Sequence, residues 1–264
     1  MELRAVFADA AGGVFPPPRT IAVALISVHD WRPWLGDALR MLSASETERV
    51  QRRCIAADRD ELALAYALHR LLLGKVLGRD PTDVPLYRDE RGCPRLAGGI
   101  AYTSLSHADG LIALAVTTSG PVGVDIEPAA RAVVMAEIAS CVCHHSEAAE
   151  LATLREPARG AALLAIWVRK EAVLKAVGVG LAVPMDTFAA PVHHSLVLPA
   201  LGADAIQIRM LSTGDRCVAA VAGDPGVVIE CRWVRPPISA RAYDQPMRSV
   251  PWLDSVRLAE VEAR

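Results

Sequence analysis

Lysine is nearly missing from this chain of 264 residues. Of its 28 basic residues, only Lys75, Lys170 and Lys175 are lysine, and the other 25 are arginine. The six cysteines, at 54, 93, 141, 143, 217 and 231, include no Cys-x-x-Cys pair. That speaks against a structural zinc site, and the thiols read as reduced cysteines of a cytoplasmic protein. No apolar run reaches the roughly 18 residues of a membrane span. The N-terminus carries Glu2 and Asp9 and lacks the layout of a secretory signal. An excess of charge is missing too. The net charge is −2, and neither side of Ser119 is basic, which argues against a nucleic-acid binder. What is plentiful is apolar residues, 52% of the chain. Global disorder is thereby excluded, and one large domain or two smaller ones are allowed.

Two of the three lysines lie five residues apart around Glu171. Lysine is a mobile point charge and arginine a flat fork, so the choice suggests a local need. From Pro157 to Val177 only Gly160 interrupts a run rich in Ala and Leu. This predicts a helix that Pro157 starts and Gly178 caps. Trp167, Glu171 and Lys175 stand at i, i+4 and i+8 and share one face. On an open face, a Glu–Lys pair contributes only about 0.2–0.5 kcal/mol. Beside a Trp on an apolar helix, the pair better suits the edge of a cleft, where a carboxylate and an ammonium hold a metal and a phosphate.

A second acidic group lies upstream. Ser119-Gly-Pro121 turns the chain into Val122-Gly-Val-Asp-Ile-Glu127. In a strand, Asp125 and Glu127 point to one side and Val124 and Ile126 to the other. An ordinary exposed sheet face would show the same alternation. Neighbouring carboxylates repel, however, and a divalent cation removes that cost. Mg²⁺ takes a few carboxylates together with phosphate oxygens and water, and Glu171 offers a third carboxylate.

Along the rest of the chain, residues 1–19 read as a loose leader and Ile21–Val28 as a buried strand. A short helix is expected around Asp37–Leu42. Ser43 or Ser45 caps the next one, with Ser45-x-x-Glu48 fitting a capping box. Asp60–Leu77 is a long helix carrying Arg70, preceded by Arg49, Arg52, Arg53 and Arg59. His144-His145 and His193-His194 lack metal-ligand spacing and read as surface. Ala115–Glu127 and Ala220–Glu230 echo each other as strand, Gly/Pro turn, strand and acid. With a long helix ahead of each, this suggests two similar α+β halves, 1–119 and 120–235, with a ligand cleft between them. Residues 236–264 carry no recognisable chemistry.

Taken together, Gly123-Val-Asp-Ile-Glu127, Trp167-x-x-Lys-Glu-Ala-x-x-Lys175 and Ser106-His107 resemble the phosphopantetheinyl transferase family, of the surfactin-synthetase type. Gly180-Leu-x-x-Pro184 with Thr187-Phe188 is similar to the segment that follows its second signature. Two signatures in order at the right interval are more specific than either alone. The resemblance implies an α/β fold of two pseudo-symmetric halves with the active site between them. It implies transfer of the 4′-phosphopantetheine arm of coenzyme A to a serine of an apo acyl or peptidyl carrier protein, with release of adenosine 3′,5′-bisphosphate. This is holo-acyl-carrier-protein synthase activity, serving fatty-acid, polyketide or nonribosomal peptide synthesis.

The resemblance further implies a cytoplasmic monomer with no membrane or nucleic-acid partner. Asp125, Glu127 and Glu171 would bind Mg²⁺, with Mn²⁺ as a substitute. Glu171, Asp125 and Lys175 would be catalytic, with Glu171 as base, metal ligand or both. Coenzyme A would meet Arg53, Arg70, Arg91, Ser106, His107, Lys170 and Lys175, with Lys170 alternatively serving folding or the carrier interface. The segment Ile138–Val142 is a candidate surface for the carrier. Three positions depart from the family pattern: Cys93 where Lys is usual, Ser104 where Asn is frequent, and Ala108 where Ser is common. Arg91 or Arg95 could compensate for the missing lysine. Competing readings are a non-catalytic relative that binds coenzyme A or a carrier, a Mg²⁺-dependent pyrophosphohydrolase, and an interaction protein whose acids are ordinary surface residues.

Overall fold

The structure, a computed structural model, describes residues 2–12, 19–192, 194–198 and 203–237. In chain order it contains α1 (Leu3–Ala10), β1 (Thr20–Ser27), α2 (Val28–Trp31), α3 (Leu35–Met41), α4 (Ala44–Gln51) and α5 (Ala56–Leu77). There follow β2 (Leu86–Arg88), β3 (Pro94–Leu96), β4 (Tyr102–Ala108), β5 (Leu111–Thr117) and β6 (Gly123–Pro128). A 3-10 stretch, Ala129–Ile138, leads into α6 (Ala139–Val142), α7 (His145–Leu151) and α8 (Ala158–Val177). The chain then forms β7 (Ser195–Leu198), β8 (Ala203–Met210), β9 (Cys217–Gly223) and β10 (Val228–Trp233). No helix among these residues is long and apolar enough to cross a membrane.

Among the described residues the strands form two four-stranded sheets, ordered β10-β1-β5-β4 and β6-β9-β8-β7, and the ribbon β2-β3. Alternation along each strand divides its apolar side chains between two layers. Ile21, Val23, Leu25, Ala113 and Ala115 of the first sheet meet Val124, Ile126, Ala219 and Val221 of the second. On the outer face of the first sheet, Ile26, Ile112 and Leu114 pack with Leu64, Leu68 and Leu71 of α5. On the outer face of the second, Ile208, Ala220 and Ala222 pack with Leu164, Val168 and Ala172 of α8. The order is thus helix, sheet, sheet, helix, an α/β fold of two similar halves, as the internal echo implied.

The echo also marks how the halves are joined. β5 lies in the first sheet and β6 in the second, whereas β9 lies in the second and β10 in the first. Each Gly/Pro turn therefore carries the chain from one sheet to the other. β10 runs parallel to β1, pairing Thr20 with Val228 through to Leu25 with Trp233. A division after Ser119 consequently has one strand exchanged across it.

Three local expectations are corrected. The leader contains α1, whose Leu3, Val6 and Phe7 are buried, with the Phe7 ring tilted against Trp31 at 5.7 Å between centres. The capping box of α4 is Ser43 with Glu46, not Ser45 with Glu48. Ser43 has the extended backbone of a cap and accepts from Glu46 N, while the Glu46 carboxylate accepts from Ser43 N at 2.8 Å. Ser45 already lies inside the first turn, with helical backbone, and so is not the residue whose side chain caps the helix. The long helix begins at Ala56 rather than Asp60. His193 and residues 238–264 lie outside the described residues.

Candidate active site

The site is built where α8 crosses β6. A β-carbon at Gly123 would collide with the backbone carbonyl of Ala172. Glycine there lets the helix lie directly on the strand. α8 ends, as expected, at Gly178, which adopts φ 76° and donates its N–H to Leu174 O at 2.9 Å. Val124 and Ile126 face the first sheet, so Asp125 and Glu127 face α8. Asp125 is 3% exposed and Glu127 7%.

Lys175 closes this group from the helix. Its Nζ lies 2.6 Å from Asp125 Oδ1 and 2.9 Å from Ser106 Oγ, to which it donates. Ser106 in turn donates to Asp125 Oδ1 at 2.6 Å. Glu127 Oε1 accepts from Arg131 Nη1 at 2.6 Å, and the Arg131 guanidinium covers the Trp167 ring at 5.5 Å. The face Trp167–Glu171–Lys175 read from helical spacing is the face that meets the two strand carboxylates. Burial pushes the Glu171 carboxyl up to about 7, and the negative charges of Asp125 and Glu127 add to that against the pull of Lys175. Burial also raises Glu127, against the hydrogen bond from Arg131.

Two oxygens in this group, Asp125 Oδ2 and Glu127 Oε2, are buried and have no partner. Buried polar atoms are nearly always satisfied, so such a pair asks for a ligand. Carboxylate oxygens are hard donors suited to Mg²⁺ or Mn²⁺, and the donor set of Asp125, Glu127 and Glu171 fits such an ion in kind. Among the described residues, no three acids, histidines or cysteines are already gathered as a metal cage. The Lys175 ammonium sits on Asp125 instead.

The remaining expected site residues divide. Ser106 joins the carboxylates. His107, the next residue of β4, points to the opposite side, where its Nδ1 lies 2.7 Å from Glu61 Oε1 on α5. Ser104, which replaces the more usual Asn, accepts from Val124 N at 3.1 Å and ties β4 to β6. Arg91 reaches Gly178 O at 3.2 Å and Arg95 pairs with Asp89 at 2.9 Å, placing the β2–β3 ribbon against the end of α8. Arg53 is exposed on the loop before α5.

Two residues are not brought to the site. Arg70 is buried on Glu46 at 2.7 Å, with Pro81 O as a further acceptor. Lys170 is fully buried, and its ammonium meets Glu147 Oε2 at 2.6 Å and the carbonyls of Val142 and Met185 at 2.7 Å each. Three donors facing three acceptors leave none for a phosphate. Lys170 thus pins α6, α7 and the Met185 turn to α8, although desolvation lowers its pKa.

Arg131 and Glu61 were not anticipated. Arg131 stands four residues after Glu127, but the intervening turn leaves no helical spacing to announce the pair. Glu61 has no signal in the sequence beyond its place at the start of α5.

Where α8 crosses β6, the structure gathers buried carboxylates with unpaired oxygens beside a lysine and a serine. The family model described as "4′-phosphopantetheinyl transferase superfamily" matches residues 121–216, which contain every carboxylate of this site. The chain is 27% identical over 218 residues to the 4′-phosphopantetheinyl transferase HetI of Nostoc sp., covering 78% of this chain and 92% of that protein. It is 28% identical over 168 residues to the 4′-phosphopantetheinyl transferase Sfp of Bacillus subtilis, covering 59% and 74%. A phosphopantetheinyl transferase of Thraustochytrium sp. is 29% identical over 182 residues, covering 62% and 63%. Over these stretches the chain is similar to 4′-phosphopantetheinyl transferases.

Proposed function

We propose that the protein transfers the 4′-phosphopantetheine arm of coenzyme A to a serine of an apo acyl or peptidyl carrier protein, as a cytoplasmic monomer of the surfactin-synthetase type. The observation that carries this reading is the pair of buried, unpartnered oxygens on Asp125 and Glu127 facing Glu171 and Lys175. The halves 1–119 and 120–235 would enclose the coenzyme, with Ile138–Val142 toward the carrier.

In the reaction, the carrier serine oxygen bonds to the phosphorus bearing the pantetheine. The bond from that phosphorus to the bridging pyrophosphate oxygen breaks, and adenosine 3′,5′-bisphosphate leaves. Asp125, Glu127 and Glu171 would hold Mg²⁺, or Mn²⁺ in its place, and when bound the ion neutralises charge on the pyrophosphate. Lys175 places a positive charge beside the departing phosphate. Glu171 is a carboxylate on the face of α8 that meets Asp125 and Glu127, and it is suited to take the serine proton. Ser106 orients Asp125 and Lys175 through its two hydrogen bonds.

Chromatographic measurement of adenosine 3′,5′-bisphosphate tests the assignment. Release that requires an apo carrier supports transfer. Cleavage of coenzyme A without any carrier would replace it with pyrophosphate hydrolysis, and binding without cleavage would make the protein a non-catalytic relative.

A further inference from the structure

Arg131 holds Glu127 in the way that Lys175 holds Asp125. Lys175 Nζ lies 2.6 Å from Asp125 Oδ1, and Arg131 Nη1 lies 2.6 Å from Glu127 Oε1. In each pair the second carboxylate oxygen, Asp125 Oδ2 or Glu127 Oε2, is buried without a partner. The carboxylates are the buried members, with side chains 5% and 9% exposed, whereas Lys175 is 27% and Arg131 39% exposed. The Trp167 ring, 5.5 Å from the Arg131 guanidinium, keeps that cation at the rim of the group. Both cations also act on Glu171. Three carboxylates thus meet two cations, and the group carries at most one net negative charge. A divalent ion by itself would turn this into a net positive charge. A pyrophosphate by itself would add anions to a group already short of cations. Bound together, the two nearly cancel and leave the group at its own charge. Close charges in a partly buried site are weakly screened, so these differences count.

We propose that Arg131 is a specificity-determining residue: with Lys175 it lets the site take a divalent ion and a pyrophosphate together and disfavours either one alone. This rests on the ion site of the transfer reading. With Lys175 as the only counter-ion, the three carboxylates would keep up to two negative charges, and a divalent ion would be neutralised there without any nucleotide. Arg131 removes that possibility while leaving Glu127 Oε2 free. The coupling is reciprocal, so each ligand strengthens the other by the same factor. The site thereby selects ligands whose pyrophosphate brings the ion with it.

The test is Mn²⁺ binding to the full chain, read from the paramagnetic resonance signal of the free ion, with and without coenzyme A and with no carrier present. Readings are corrected for the ion that coenzyme A itself holds in solution. In the wild type, coenzyme A is expected to tighten Mn²⁺ about tenfold or more. Arg131→Gln keeps a donor for Glu127 but removes the charge. It is expected to tighten Mn²⁺ alone about tenfold and to shrink the effect of coenzyme A by a similar factor. Arg131→Lys, which keeps the charge, is expected to behave as the wild type. Lys175→Met should shift Mn²⁺ in the same direction and serves if Arg131→Gln does not fold. Three results would each overturn the proposal while Asp125-dependent binding stands: no tightening by coenzyme A in the wild type, unchanged or weaker Mn²⁺ binding in Arg131→Gln, or equal behaviour of Arg131→Gln and Arg131→Lys. Mn²⁺ binding that Asp125→Ala leaves unchanged would overturn the ion site and the proposal together. The expected pattern in a protein without transferase activity would keep this assignment and remove the transfer reading.

Discussion

Replacing Lys170 by methionine separates a structural lysine from a substrate-binding one. In the folded chain its ammonium is fully buried against Glu147, Val142 O and Met185 O, with the Phe188 ring 5.1 Å away. Methionine fills a similar volume, so the cavity cost is small. What remains is a buried Glu147 whose counter-charge is gone, together with two carbonyls that lose their donor. Breaking a buried ion pair from one side costs about 3–5 kcal/mol, and the Glu147 bonds to His144 N and Ala190 N offset only part of it. A protein of this size would melt on the order of 10 °C lower. Urea denaturation should show the loss as a lower midpoint with an unchanged slope. Adding Glu147→Gln, which removes the stranded charge, should restore part of it. Coenzyme A affinity of the folded variant should stay within about twofold of wild type, since no Lys170 donor faces the carboxylate site. A variant as stable as wild type but with much weaker coenzyme binding would refute the reasoning.

Two further outcomes follow from the geometry. Glu171 is held above its ordinary value of 4.5, at about 7, so the folded state keeps a proton that the unfolded chain releases, and stability falls as pH rises from about 4.5 to 7. Glu171→Gln should therefore become progressively more stable than wild type across that window in EDTA, by about 2 kcal/mol at pH 8 after discounting for solvent; a difference that does not grow with pH would contradict the assignment. Gly123→Ala should cost about 3 kcal/mol or more, because its methyl meets the Ala172 carbonyl, and transfer should fall with it. Wild-type melting and turnover in that variant would show that α8 does not rest on β6 as described.

The site was legible where periodicity carries the information. The two-residue spacing of Asp125 and Glu127 and the four-residue spacing of Trp167, Glu171 and Lys175 each select a face, and those faces meet. The Ala115 and Ala220 segments announced two halves, because both cross between sheets at Gly/Pro turns. Lys170 was misplaced by its neighbours. It adjoins Glu171 in sequence but turns about 100° away on the helix, into the acceptors of Glu147, Val142 and Met185, which only tertiary packing brings together. The same limit separates Ser106 from His107, since consecutive strand residues face opposite sides. The helix at Leu3–Ala10 was readable in the spacing of Leu3, Val6 and Phe7, but Gly12-Gly13 and the three prolines after it outweighed that signal. The Ser43–Glu46 box was hidden by an equally good serine two residues later.

The central claim is tested most directly by the intact mass of apo carrier proteins incubated with this protein, coenzyme A and Mg²⁺. A gain of one phosphopantetheine unit on a carrier, lost in EDTA and lost with Asp125→Ala in a protein that still folds, is the predicted result. No gain on any carrier, or an undiminished gain with Asp125→Ala, would contradict it.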